Sequence, residues 1–445
     1  MGFYAYWLSV YFIVARILGL GGQHIIIKYI PELRIKNRLM IPSLIKKVIY
    51  IKLPLFFLIL GLGILFWTNE ISYFMIIAIA SLLFSLNLAG ESIVFSYNRM
   101  GTYALISLIR LATRAILVVV LFYLFHMTGI ILGVFGAPLL ALLLSLFFSL
   151  RLLPRNHTPL DQPFRTHFTF GFWVYLSDAI QGMIVWLIII LSRIYFEDMT
   201  IVGYFGIGAQ ICFSIIIFVY FINESILPSL VEFRVMDNKK LRDSVRLAWK
   251  YTNILLFPLI FGGYVLAEPL ITFFIGRDYV PGTQIIKLFF PAVIFFGLIR
   301  LHNQILFVYE KKIKIFLTQL INLFIFLGVW FYLVEQGKTN YAPLSLCIGA
   351  AMAYLFILFH SNKIVKVENY MANLLKPLMA ASLMALVLNL FEVHSIIQLF
   401  LVVLLGILSY GLLLFVFRSI GRYDFEILKE FLKSVKISGA EKKEL

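Results

Sequence analysis

The chain has 445 residues, of which 62% are hydrophobic and only 13% charged, and its formal net charge is +16. Soluble domains sit near about 45–50% apolar residues, so this chain cannot cover a water-facing surface, and a soluble enzyme or nucleic-acid-binding domain is excluded. Cys212 and Cys347 both lie in apolar runs, which gives neither a disulfide framework nor a thiolate metal site.

Apolar runs recur from end to end, each near the roughly 20 helical residues that cross about 30 Å of hydrocarbon. In chain order they predict thirteen spanning helices, over 3–27, 53–69, 71–97, 103–125, 127–150, 169–193, 201–228, 248–266, 282–309, 315–334, 342–362, 373–391 and 395–417. The first run lacks a basic leader and a small-residue cleavage site, so it does not read as a signal peptide. No gap between runs is long enough for a soluble domain, and the basic tail from Arg418 onward is expected to form at most a short surface helix.

The charges of the gaps alternate. Of 38 Lys and Arg residues, Arg193, Arg277 and Lys338 sit at gaps of one parity and Arg16, Arg110, Arg114, Lys287 and Arg300 inside the runs. All the others fall in, or within a turn of, the gaps of the opposite parity and the C-terminal tail. Basic loops stay cytoplasmic, so the gaps beginning near Lys28, Arg151, Arg234 and Lys311, and the C-terminus, are expected in the cytoplasm. The Asn156-His157-Thr158 sequon falls on that side and is discounted.

This phase places Met1 outside, with the first run entering from outside to inside. An internal repeat bears on it. Residues 2–34, GFYAYWLSVYFIVARILGLGGQHIIIKYIPELR, parallel residues 203–234, GYFGIGAQICFSIIIFVYFINESILPSLVEFR. Both open on Gly and two aromatics, and both close on a Glu-apolar-Arg triplet, Glu32-Leu33-Arg34 and Glu232-Phe233-Arg234. The run at 201–228 has a predecessor at 169–193, but the run at 3–27 has none, so the expectation is an all-α membrane protein of two six-helix lobes whose first lobe is one helix short. The expected division is an N-terminal lobe over 1–150, a polar linker over 151–168, a C-terminal lobe over 169–362, two additional helices over 363–418 and a basic tail over 419–445. Parallel repeats of this kind place a substrate path between lobes.

Ionisable groups at membrane depth are costly and usually face a cavity or a partner. Arg16, Arg110 and Arg114 in the first lobe and Arg300 and Lys287 in the second are candidates for a cationic cavity. Arg110 and Arg114, four residues apart, share one helical face and repel each other unless an anion lies between them. Guanidinium groups bind phosphate oxygens in bidentate fashion and stay charged. Plainer readings stand beside these. Lys287 fits an interfacial lysine whose amine reaches for water, Arg300 and Glu224 fit a structural ion pair, and Glu91 fits an inner-boundary residue. Asp178 and Glu224 are candidates for ion coupling or for charge compensation of nearby arginines. Pro228, Pro258, Pro291 and the Gly19-x-Gly21-Gly22 cluster are expected to kink or break helices. That cluster ends a membrane helix and follows no strand, so it is not a nucleotide-binding loop. The seven His residues show no metal-ligand spacing, and no nucleophile–base set and no cofactor motif stands out.

The segments KYIPELR (28–34), VGYFGIGAQICF (202–213) and FFIGRDYVPGTQIIKLFFPAVIFFGL (273–298) resemble the polysaccharide and O-antigen flippases of the multidrug/oligosaccharidyl-lipid/polysaccharide exporter superfamily, and the resemblance covers essentially the whole chain. Members have twelve or fourteen helices in two six-helix lobes. The resemblance implies a non-enzymatic flippase of the bacterial inner membrane. Its substrate would be a polyprenyl-pyrophosphate-linked oligosaccharide such as an O-antigen, capsule or exopolysaccharide unit, moved by alternating access. It further implies membrane lipid, a polysaccharide polymerase and chain-length proteins as partners, with no nucleic acid and no cofactor. Two other functions are weighed: an ion-coupled multidrug exporter of the same superfamily, whose cavity should be richer in acids than the five cations and three acids (Glu91, Asp178, Glu224) found here, and a membrane-embedded glycan polymerase, which the short outward gaps disfavour.

Overall fold

The computed structural model describes residues 11, 14–66, 71–161, 163–196, 199–367 and 369–421, and its regular structure there is entirely helical. In chain order the helices are α1 (14–19), α2 (Gly22–Lys36), α3 (Ile41–Phe66), α4 (Ile71–Ser96), α5 (Met100–Leu152), α6 (Phe164–Tyr195), α7 (Met199–Met236), α8 (Asn238–Val265), α9 (Ala267–Phe274), α10 (Thr283–Lys287), α11 (Phe290–Val308), α12 (Lys312–Glu335), α13 (Leu344–Asn362), α14 (Tyr370–Leu388) and α15 (Ile396–Val416). The chain is an all-α polytopic membrane protein. Nine helices among the described residues are long and apolar enough to cross a membrane, or ten if α8 and α9, bent by 73°, form one broken span. The expectation of thirteen is not reached on that criterion. Part of the expected run at 3–27 lies outside the described residues, and the expected run at 127–150 is represented by the short Gly136–Leu152 stretch. Any helix in the tail beyond Gly421 lies outside the described residues.

The breaks fall where backbone chemistry demands them more often than at proline. Leu20 (φ 35°) and Gly21 (φ 75°) part α1 from α2, as the glycine cluster predicts. His126 (φ 51°) parts the two halves of α5, between the expected runs at 103–125 and 127–150. Pro228 and Pro258 are carried inside α7 and α8, while Pro291 sits in the first turn of α11, where its missing N–H costs nothing. α3 begins at Ile41, twelve residues before the expected span, so Lys46, Lys47 and Lys52 are helical rather than loop residues.

The chain forms two compact units, interleaved along the sequence. Unit 1 comprises residues 1–183, Glu224–Leu241 and His302–Leu320. It holds α1 to α5 together with one end each of α6, α7, α11 and α12. Its centre is α4, which packs on α2, α3 and α5. Ser81, Ser85, Ser92 and Ser96 form a buried polar stripe along one face of α4, and Asn87 and Glu91 are buried on another. Small and hydroxyl side chains let membrane helices approach closely and bond across the interface. Ser81 Oγ reaches Tyr11 O at 3.1 Å, Ser85 Oγ reaches Leu18 O at 3.2 Å and Ser96 Oγ reaches Ile26 O at 3.3 Å. Unit 2 holds Ile184–Asn223, Arg242–Leu301 and Ile321–Leu445. There α14 and α15 pack together around Met384, Leu388, Leu399 and Tyr410, and the Trp249 indole stacks on Tyr370 at 4.3 Å.

Candidate functional site

The break between α1 and α2 creates a polar site inside unit 1. With Leu20 and Gly21 out of helical geometry, the last carbonyls of α1 lose their intrahelical donors. Ser85 of α4 supplies one, to Leu18 O. Lys52 of α3 then bonds Ser85, with Nζ at 2.9 Å from its carbonyl and 2.5 Å from its hydroxyl. Lys52 is 4% exposed, and a buried ammonium is sustained only where such acceptors surround it. Gly21 makes the geometry possible a second way: a Cβ there would lie 2.2 Å from the Gly171 carbonyl oxygen of α6.

Around this break lies a cavity of about 410 Å³. Its polar wall is Arg16 on α1, Gln23 and His24 on α2, Lys52 on α3, and Tyr175 and Asp178 on α6. His24 Nε2 stands 3.4 Å from Asp178 Oδ2. Phe84, Leu88 and Ala89 of α4 line the apolar side. The wall therefore carries two fixed cations, one carboxylate facing an imidazole, and an amide. Such a set suits an anionic group carrying polar substituents.

The expected site residues take different places. Arg16 lines this cavity. Arg110 does not. Its Nη1 lies 3.0 and 3.1 Å from the two oxygens of Glu91, whose side chain is 3% exposed, and its guanidinium rests over the Phe84 ring at 5.3 Å. Glu91, on α4, is thus a buried ion-pair partner of Arg110, also accepting from Asn87 Nδ2 at 2.9 Å. The Arg110–Arg114 repulsion is relieved by this protein carboxylate. Arg114 lies over Tyr11 at 6.0 Å. Asp178 enters the cavity opposite His24, and Glu224 belongs to the part of α7 in unit 1, half-buried. Arg300 and Lys287 belong to unit 2, over Tyr220 at 4.9 Å and over Tyr264 at 5.2 Å respectively.

Lys52, Gln23 and His24 were not anticipated. Lys52 stands between Ile51 and Leu53, an isolated charge in an apolar stretch, and that flank was its signal. Gln23 and His24 are the polar pair directly after the glycine cluster, ahead of Ile25-Ile26-Ile27.

A second polar cluster of unit 1 occupies the basic ends of its helices. Arg34 on α2 donates to Glu232 on α7 at 2.7 Å. Lys28 on α2 lies 3.0 Å from Glu32 and 3.5 Å from Glu310, in the turn between α11 and α12. Burial works to lower the Lys28 ammonium's pKa, while Glu32 and Glu310 oppose that, and the net direction is down. Burial works to raise the Glu32 carboxyl, but Lys28 and Lys36 outweigh it and hold it at about 2. His167, at the start of α6, packs edge-on against Tyr29 at 4.3 Å, and burial lowers its pKa.

A family model described as "Polysaccharide biosynthesis protein" matches residues 39–283, more than half of the chain. Among solved structures, the chain is similar to the lipid II flippase MurJ in an inward closed conformation, at 16% identity over 92% of this chain and 98% of that one, with a TM-score of 0.58. It is also similar to a point mutant of the Vibrio cholerae MATE transporter VcmN, at 14% identity over 82% and 88% with a TM-score of 0.65. An outward-facing multidrug resistance MATE family transporter of the MOP superfamily matches at 13% identity over 79% and 83%, TM-score 0.63. No curated protein is similar to the chain in sequence. The fold is therefore like that of these flippase and MATE transporter structures.

Proposed function

The chain belongs to the polysaccharide biosynthesis protein family, and from that premise we propose that it is a flippase carrying a polyprenyl-pyrophosphate-linked oligosaccharide, such as an O-antigen, capsule or exopolysaccharide unit, across the bacterial cytoplasmic membrane. The observation that carries this reading is the cavity beside the α1–α2 break, where Arg16 and Lys52 face a polar wall of Gln23, His24, Tyr175 and Asp178. Fixed cations attract phosphate oxygens by charge, and the Arg16 guanidinium can add paired hydrogen bonds. The amide, imidazole and phenol offer hydrogen bonds to sugar hydroxyls. The similarity to a lipid II flippase supports a lipid-linked cargo. In this reading the basic ends and the C-terminus face the cytoplasm, the cargo loads from the inner leaflet, its lipid tail stays in the bilayer, and alternating access releases it outside. The chain then acts as a carrier and not as an enzyme, upstream of a polysaccharide polymerase and its chain-length partner.

Asp178, and the likeness to MATE transporter structures, favour a cation-exporting transporter instead. The Asp178 carboxylate, however, faces His24 at 3.4 Å, and the same cavity holds Arg16 and Lys52, which repel a cationic drug. The test is the combined variant Arg16→Gln, Lys52→Met in a strain lacking the natural gene. Surface glycan should be lost while the protein remains in the membrane at its normal level. Undiminished surface glycan overturns the cavity assignment, and drug efflux by the wild type in a sensitised host would favour the exporter.

A further inference from the structure

The two Glu-apolar-Arg triplets of the internal repeat are left unexplained by the cavity. Residues two apart on a helix do not face each other, so Glu32 and Arg34, or Glu232 and Arg234, cannot satisfy one another within their own helix. In unit 1, Arg34 and Glu232 pair across the two copies, while Glu32 is held within its own helix and Arg234 by the end of α11 and the turn after it. Arg34 of the first copy donates to Glu232 of the second at 2.7 Å. Arg234 of the second copy donates to the Val308 carbonyl at the end of α11 and lies 3.9 Å from Glu310. Glu32 is held by Lys28 at 3.0 Å and Lys36 at 2.6 Å.

Glu310 is the hub. It receives Lys28 at 3.5 Å and Arg234 at 3.9 Å. Its backbone is left-handed, φ 56°, a conformation that is costly for a residue with a Cβ and is kept only where surrounding contacts over-determine it. Lys28, 0% exposed, is the most deeply placed charge of the set. The cluster adjoins the cavity directly. His24, in the cavity wall, precedes Lys28 by one helical turn, about 6 Å along α2. The His24 ring also lies 6.5 Å from that of Phe307, the neighbour of the carbonyl that Arg234 holds.

We propose that the two triplets, joined through Glu310 and Lys28, form an ion-pair latch that closes the basic-side mouth of the cavity, and that the pairs must part for cargo to enter. The proposal rests on the transporter reading above. The latch ties α2 to the end of α7 and to the α11–α12 turn, and it is engaged in this structure. Because Arg34 and Glu232 pair with each other, exchanging the two should preserve the latch, and removing one partner should weaken it.

The test reads access rather than transport. Ala179→Cys places a single thiol in the cavity wall, in a background with Cys212→Ser and Cys347→Ser, and its labelling by a membrane-impermeant maleimide is timed in inverted vesicles, which expose the cytoplasmic face. Arg34→Glu should speed labelling roughly tenfold, the population shift expected when one partly buried charged pair is lost. The swap Arg34→Glu, Glu232→Arg should return it to the slow rate. Glu232→Gln serves as the milder variant, and size-exclusion profiles in detergent confirm that each variant is folded. Labelling that is equally slow in folded Arg34→Glu and Glu232→Gln overturns the latch, as does failure of the folded swap to restore the slow rate. No glycan enters the assay, so a wrong cargo leaves its result unchanged. A latch that fails leaves the surface-glycan test of the flippase reading intact.

Discussion

Gly21→Ala tests whether the α1–α2 break is built as described. Gly21 has φ 75°, and an added Cβ would lie 2.2 Å from the Gly171 carbonyl oxygen, 2.4 Å from its carbon and 3.0 Å from the Phe172 nitrogen. All three are backbone atoms of α6, so none can swing aside as a flexible side chain would. A left-handed conformation costs an L-residue about 1–2 kcal/mol, and forcing atoms into a packed site typically costs about 1–3 kcal/mol more. The sum, about 2–5 kcal/mol, should lower the thermal midpoint of the detergent-purified protein by several degrees, at the few degrees per kcal/mol seen for moderately sized domains. Gly19→Ala is the internal control. Gly19 is helical and a Cβ there meets nothing within 4 Å, so the substitution should be neutral or stabilising by up to about 1 kcal/mol through helix propensity. A Gly21→Ala protein that melts with the wild type, or a Gly19→Ala protein that melts lower than Gly21→Ala, would refute the geometry of the break and of the cavity it shapes.

Arg110→Met should destabilise strongly, by about 3–5 kcal/mol, because it leaves the buried Glu91 carboxylate uncompensated, whereas Arg110→Met with Glu91→Leu should recover most of the loss. Thermal melts of the two variants decide, and surface glycan from the stable double variant then shows separately whether Arg110 also serves the substrate. Burial lowers the pKa of His167, so between the folded value and the ordinary one near 6.5 the unfolded chain binds the extra proton. Stability should therefore fall as the pH drops below about 6.5, by at most about 1.4 kcal/mol per pH unit for this group. Subtracting the melting curve of His167→Gln across pH 5–8 should isolate that loss, and parallel curves would contradict it. Asp178→Asn should slow transport while leaving the melting midpoint within about 1 kcal/mol, because Asp178 is a third exposed and its charge is screened; surface glycan against a thermal melt separates the two effects.

Much of the fold was legible because a bilayer imposes a length on every span and a charge sign on every loop. The run at 71–97 became α4, Ile71–Ser96, and the gap between 125 and 127 became the break at His126. Both ends of those runs are set by composition alone. The start of α3 was missed by twelve residues for the converse reason: Lys46 and Lys47 are polar, and hydropathy cannot distinguish a helix leaving the membrane from a loop. Proline misled in a related way. Pro228 and Pro258 stay within continuous helices, whereas the breaks that matter at Leu20–Gly21 and His126 rest on left-handed backbone, a property of single residues that no periodicity reports.

The site divides along the same line. Arg16, which lines the cavity, was visible in the sequence as a charge inside an apolar run. The pairing of Arg110 with Glu91 was not, because it joins α5 to α4 across nineteen positions, and the two residues, weighed separately, suggested a cavity cation and a boundary acid. Lys52 was hidden by the same arithmetic that fixed the topology, since it lies at the last position before the expected span and was counted with the loop. The triplets show what such counting can still carry. A Glu and an Arg two apart on a helix do not face each other, so each is open to partners at other positions. Finding the motif twice, at equivalent points of a repeat, narrows where that partner can be. The pairing of Arg34 with Glu232 joins the two copies and is supplied by the structure, since the repeat alone does not choose one partner.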